Sequence, residues 1–122
     1  MKHNLTLADL SQFTGTETYY QHSLSRRVLY TDGAKHVADN AGAYWLIDEI
    51  AFGQLRPKVR AQEFQVWKLR VKGSTARLSC EDGNGNAVFA KRIPYTDFPL
   101  PEIDLWVEYD GQRRTILLPS EH

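Results

Sequence analysis

Ala43-Tyr-Trp-Leu-Ile-Asp-Glu-Ile-Ala-Phe52 has the length of a helix and is apolar almost all the way round. At about 100° per residue, Ala43, Leu46, Ile47, Ile50 and Ala51 form one wide apolar face, with Trp45 and Phe52 opposite. Asp48 and Glu49 fall on the two shoulders between. A helix with apolar surface on both sides needs two partners, or one core and one exposed recognition surface. The segment predicts a central helix in a compact domain.

Working outward, the preceding residues read as helical. Thr6 with Asp9 three residues later has capping-box spacing, and predicts a first helix over 7–13 ending at Gly15. Residues 16–30 are ambiguous, with β character from Arg27 to Tyr30. Thr31-Asp-Gly33 predicts a helix start with Thr31 or Asp32 as cap, and that helix stops at Gly42. The central helix ends near Gly53, and Pro57 bars its continuation.

From Ala61 the pattern changes to strands. Over 61–71 the apolar positions switch face, from Phe64 and Val66 to Trp67, Leu69 and Val71. That means a bulge near Val66 or a strand buried on both sides. Ala76, Leu78 and Cys80 alternate in a second strand. Asp82-Gly-Asn-Gly-Asn86 signals a hairpin into a third strand over 87–93. A stiff connector follows, Pro94-Tyr-Thr-Asp-Phe-Pro-Leu-Pro101, and then strands over 103–109 and 113–118. The expected fold is α+β. N-terminal helices (1–57) pack on a C-terminal antiparallel meander of four to five strands (58–122), in one domain spanning 1–122.

The 122 residues, 42% hydrophobic and 25% charged, can bury a core without disulfides or metals. No stretch approaches the roughly 18 to 20 apolar residues of a membrane span. A single cysteine and an N-terminus without an apolar leader run lead to the expectation of a cytoplasmic protein. The net charge is zero but unevenly placed. Residues 56–77 hold Arg56, Lys58, Arg60, Lys68, Arg70, Lys72 and Arg77 against Glu63, a net +6. Residues 78–110 have a net −5. Adjacent basic and acidic strands that offset one another account for this better than a nucleic-acid groove, because no aromatic-rich basic module accompanies the basic stretch.

Patterns that would carry chemistry are weak. Asp82, Asn84 and Asn86 resemble the start of a calcium loop, but Ala87 and Ile93 stand where that loop needs glycine and glutamate. His3, His22, His36 and His122 share no helix face, so neither a metal nor a cofactor is expected. Cys80 reads as an inert buried thiol on the apolar side of its strand. Trp106, between Asp104 and Glu108, is either a binding hot spot or a ring covered by a neighbouring helix or subunit.

Taken together, Phe13-Thr-Gly-Thr16, Tyr30-Thr-Asp-Gly33, Gly42-Ala-Tyr-Trp-Leu46, Glu63-Phe-Gln-Val-Trp67, Cys80-Glu-Asp-Gly-Asn-Gly85, Tyr95-Thr-Asp-Phe-Pro-Leu100 and Pro119-Ser-Glu121 resemble a family of small bacterial proteins of unknown function. Its members often lie near plasmid-borne or mobile-element genes. The resemblance implies a bacterial, single-domain, cytoplasmic protein, and supplies no catalytic residues.

Two function readings follow. The first is a non-enzymatic module that binds a protein partner, or a second copy of itself, through an aromatic and acidic surface. Its candidate residues are Tyr30, Asp32, Trp45, Glu49, Asp97 and Trp106. The second is a small enzyme with a carboxylate-containing cleft where Tyr30–Asp32 meets Asp97. The first is preferred, because nothing in the chain assembles a nucleophile with its base.

Overall fold

The computed structural model describes residues 5–15 and 18–122; His3 and Thr16 lie outside them. Four helices, α1 (Leu7–Leu10), α2 (Asp32–Ala41), α3 (Tyr44–Gly53) and α4 (Pro57–Arg60), accompany seven strands among the described residues. The strands are β1 (Tyr19–Gln21), β2 (Val28–Thr31), β3 (Phe64–Lys72), β4 (Thr75–Glu81), β5 (Ala87–Ile93), β6 (Glu102–Tyr109) and β7 (Arg114–Leu117). They form one sheet in the order β1-β2-β7-β6-β3-β4-β5.

Local signals produced most of these boundaries. The Thr6 hydroxyl accepts from Asp9 N and the Asp9 carboxylate accepts from Thr6 N, which completes the expected capping box. The helix it starts is only four residues long, not seven. Thr31 caps α2, and Gly42 ends it at φ 59°, a left-handed conformation that glycine adopts without a steric penalty. Pro57 stops α3 as expected, but it also opens α4 at the first-turn position where its missing N–H costs nothing.

The α+β class holds, whereas the simple meander does not. β3, β4 and β5 are consecutive antiparallel neighbours, but β6 then returns to pair with the far side of β3. The spatial order β6-β3-β4-β5 is a Greek key. Its long connection is the proline-rich segment 94–101. That segment passes the β3–β4 hairpin, where Ser74 O accepts from Thr96 N at 2.7 Å and Pro101 O accepts from Val71 N at 2.8 Å.

The sheet also has more strands than expected, and it begins within the supposedly helical half. β1 and β2 form a hairpin, and β2 runs parallel to β7, with Leu29 opposite Thr115. The expected all-antiparallel pairing therefore fails at this one junction. β2 occupies the edge that β7 would otherwise leave open, and no local pattern marks that partnership.

β3 carries no bulge, since its register with β4 and β6 is continuous around Val66. The irregularity lies at Cys80/Glu81, where β4 meets β5. Gln65, Trp67 and Leu69 are buried on the helix-facing side, while Phe64 and Val66 are half-buried on the other. The apolar wheel of α3 is correct: Leu46, Ile47, Ile50 and Ala51 are all in the core. α2 contributes as many buried positions, with Gly33, Ala34, Val37, Ala38 and Ala41. The helical cover of the sheet is thus shared between two helices.

Candidate functional site

Trp45 and Glu49 are four residues apart on α3, so they emerge on one face of it. β5 runs below them and places Lys91 within 2.6 Å of Glu49, Nζ to Oε2. Past Ile93 the chain turns into the connector. There Thr96 is buried, and its Oγ1 accepts from Phe98 N at 3.1 Å. Phe98 is buried beneath it, while Tyr95 projects outward at 71% exposure. The result is a groove of about 390 Å³ between α3 and the connector, lined by Trp45, Glu49, Lys91, Tyr95, Thr96 and Asp97.

The six sequence candidates fall in three places. Trp45, Glu49 and Asp97 meet in this groove. Tyr30 lies on β2 and stacks on Tyr20 with ring centroids 5.6 Å apart. Asp32 starts α2 beside the same ring; burial, then the Asp32 carboxylate, raise the Tyr20 phenol pKa. Trp106 lies on the sheet face away from the helices, edge-on to Phe64 at 5.1 Å and to His122 at 5.2 Å. Its cover comes from this chain's own β3 and C-terminal residue. Tyr95 and Lys91 belong to the groove and were missed. Tyr95 sat within a motif of the resemblance, whereas Lys91 could be placed only through its pairing with α3.

The charge expectation holds where β3 meets β6. Lys68 lies opposite Asp104 and Arg70 opposite Glu102. Arg70 Nη2 reaches Asp104 Oδ1 at 2.8 Å across that strand pair, while Lys68 Nζ turns to the other neighbour, β4, and reaches Glu81 Oε1 at 3.1 Å.

Two other polar arrangements resemble functional sites but are occupied structurally. His22, 3% exposed, places Nε2 at 2.8 Å from Asp48 Oδ1. Its Nδ1 accepts from Leu24 N at 3.2 Å and Ser25 N at 3.0 Å. The proton therefore sits on Nε2, and neither ring nitrogen is available as a base. The contact ties the β1–β2 turn to α3. A cleft of about 440 Å³ on the far sheet face is lined by residues including Thr31, Glu108, Glu121 and His122. There Glu121 is bound to Thr31 and the start of α2, and His122 Nδ1 meets Glu108 Oε1 at 2.7 Å.

A family model matches residues 4–122, nearly the whole chain. The chain belongs to the family of unknown function DUF6876. The crystal structure of a protein of unknown function from Enterococcus faecalis is similar to this DUF6876 chain. The match covers 86% of this chain and 98% of that one, with 19% identity and a TM-score of 0.60. That likeness concerns the fold. No curated protein matches the sequence. No helix among the described residues is long and apolar enough to cross a membrane.

Proposed function

We propose that the chain is a non-enzymatic binding module that receives a protein partner in the groove between α3 and residues 94–101. The observation that carries this reading is the pairing of half-buried Trp45 with strongly exposed Tyr95 across one groove. Aromatic anchors framed by a polar rim are the usual anatomy of an interaction hot spot. The rim here is polar, with Glu49, Lys91, Thr96 and Asp97, and within it Lys91 Nζ pairs with Glu49 Oε2 at 2.6 Å.

The connector supports the role mechanically. Three prolines and two backbone bonds to the β3–β4 hairpin and strand β3 hold Tyr95 in place, so little entropy is lost when a partner docks. The enzyme alternative needed Tyr30–Asp32 to meet Asp97. Asp97 instead lines the α3 groove, and Asp32 sits beside Tyr20.

Quantitative pull-down with wild type, Trp45→Ala, Tyr95→Ala and a Leu55→Ala control tests the reading, with each captured protein measured by mass spectrometry. Leu55 is exposed and does not line the groove. The expected result is a partner kept by wild type and Leu55→Ala but reduced at least tenfold by either aromatic substitution. Sedimentation velocity on the same set shows whether that partner is a second copy. Equal capture by all four proteins would overturn the proposal.

A further inference from the structure

Arg70, Arg77 and Arg92 stand directly opposite one another on β3, β4 and β5, so one row of guanidinium groups crosses three adjacent strands. All three lie on the sheet face away from the helices, because the buried Leu69, Ala76, Leu78 and Ile93 point the other way. Like charges directly opposite on a sheet are destabilising. Arg70 is compensated by Asp104 and Glu102. Arg77 and Arg92 are exposed and have no hydrogen bond or ion pair among the described residues, and the same holds for the side chain of Lys72, two residues along β3 from Arg70. A shallow cleft of about 280 Å³ runs between these side chains.

Protection of a sheet edge explains part of this arrangement, because charged residues on edge strands block aggregation. β5 is such an edge, so Arg92 needs no further account. Arg77 does, since β4 is flanked by β3 and β5. Arg77 and Arg92 are side by side, solvated and uncompensated, and an anion bound between them would relieve their repulsion.

We propose that this face binds the phosphate backbone of single-stranded nucleic acid. Charge complementarity selects a polyanion, and the shallow, spread-out form of the cleft favours a polymer over a small phosphorylated molecule, which prefers an enclosed pocket. Phe64 and Trp106 lie on the same face, half-buried, toward the other end of β3; the acids of that face between them and the arginine row are paired, Glu102 and Asp104 with Arg70, Glu81 with Lys68 and Glu108 with His122. From Phe64 to Arg70 is about 20 Å along an extended strand, which several nucleotides can span. Aromatic surface beside a basic track is how single strands are held without sequence preference. This surface is separate from the α3 groove, and either proposal can fail without the other.

The test is fluorescence anisotropy with a labelled oligothymidylate, a duplex of equal length and inorganic pyrophosphate. With Lys72, Arg77 and Arg92 contacting phosphates, log K should fall with log salt at a slope of about −2. The Arg77→Glu/Arg92→Glu double variant should lose at least tenfold in affinity, while Tyr95→Ala should bind as wild type does. Arg77→Gln/Arg92→Gln guards against misfolding. It should unfold no earlier than wild type, because it relieves like-charge repulsion, yet bind less tightly. The proposal is overturned by absence of binding at low salt, by binding that survives both double variants, by tighter binding of the duplex, or by displacement with equimolar pyrophosphate.

Discussion

Gln54 and Gln65 exchange two side-chain hydrogen bonds, each of 2.8 Å, across the junction of α3 with the sheet. Gln65 is fully buried, and its Oε1 also accepts from Trp67 Nε1 at 2.9 Å. Its Nε2 donates to Val59 O at 3.0 Å and Gln62 O at 3.1 Å, while Gln54 Nε2 donates to Ile50 O at 3.0 Å. Two amides thus satisfy the last turn of α3, α4 and the core tryptophan together. A buried network of this kind stabilises only when every member is satisfied.

Removing one member leaves the others unpaired. Gln65→Leu or Gln54→Leu should each destabilise the fold by about 1 to 3 kcal/mol. The double substitution should cost less than the sum, because both partners become apolar at once. Urea unfolding of the four proteins measures the coupling. Strict additivity would show that the two amides act independently.

The C-terminal residues dock through Glu121. Its carboxylate accepts from Thr31 Oγ1 at 2.7 Å, Gly33 N at 3.1 Å and Leu118 N at 2.9 Å, and so closes the start of α2. A Cβ on Gly33 would sit 2.7 Å from Leu118 Cδ1 and closer still to the carboxylate. Gly33→Ala and Glu121→Ala should therefore each cost about 1 to 3 kcal/mol. They should combine with strong non-additivity, since each disrupts the same contact. Hydrogen exchange should show residues 118–121 deprotected in both. Protection retained in Gly33→Ala would exclude this account.

Cys80 couples stability to alkaline pH. Burial, then Glu81 and Asp82, push its thiol from 9.0 up to about 12. Between those values the unfolded chain has lost the proton and the folded chain keeps it. Stability is therefore full below about pH 9 and declines as pH rises toward 12. Cys80→Ala should make that decline shallower, as read from urea midpoints taken at steps of pH across this window. Parallel curves for the two proteins would remove Cys80 as the source. The native thiol should also resist alkylation until the protein unfolds.

α2 and α3, the turn at Asp82–Asn86 and the alternation of β4 and β6 were legible in sequence because their energies are local, whereas the one-turn α4 was not. A capping hydroxyl, a left-handed glycine, a proline and a two-residue period each act within a few positions. The α3 wheel likewise identified its buried face before any partner was known. β2 showed only as β character from Arg27 to Tyr30, and the three-residue β1 not at all, because strands this short are held mainly by their neighbours. Leu29 is paired with Thr115, far along the chain.

The candidate sites divide along the same line. Trp45, Glu49 and Asp97 could be named singly from type and context, but only the Greek-key return of the chain at 94–101 brings Asp97 to the other two. The same context suggested joining Tyr30 and Asp32 to Asp97; Asp97 lines the α3 groove, whereas Tyr30 and Asp32 lie beside Tyr20. The basic stretch was visible as composition. That Arg77 stands between Arg70 and Arg92 is a property of strand register, to which sequence distance is blind. Sequence by itself determined α2, α3, the strands from β3 to β7 and the buried face of α3, since short-range sterics and hydrophobic periodicity suffice for those. Tertiary structure alone decided which side chains meet, because that depends on non-local pairings whose free energy appears only when the whole sheet is assembled.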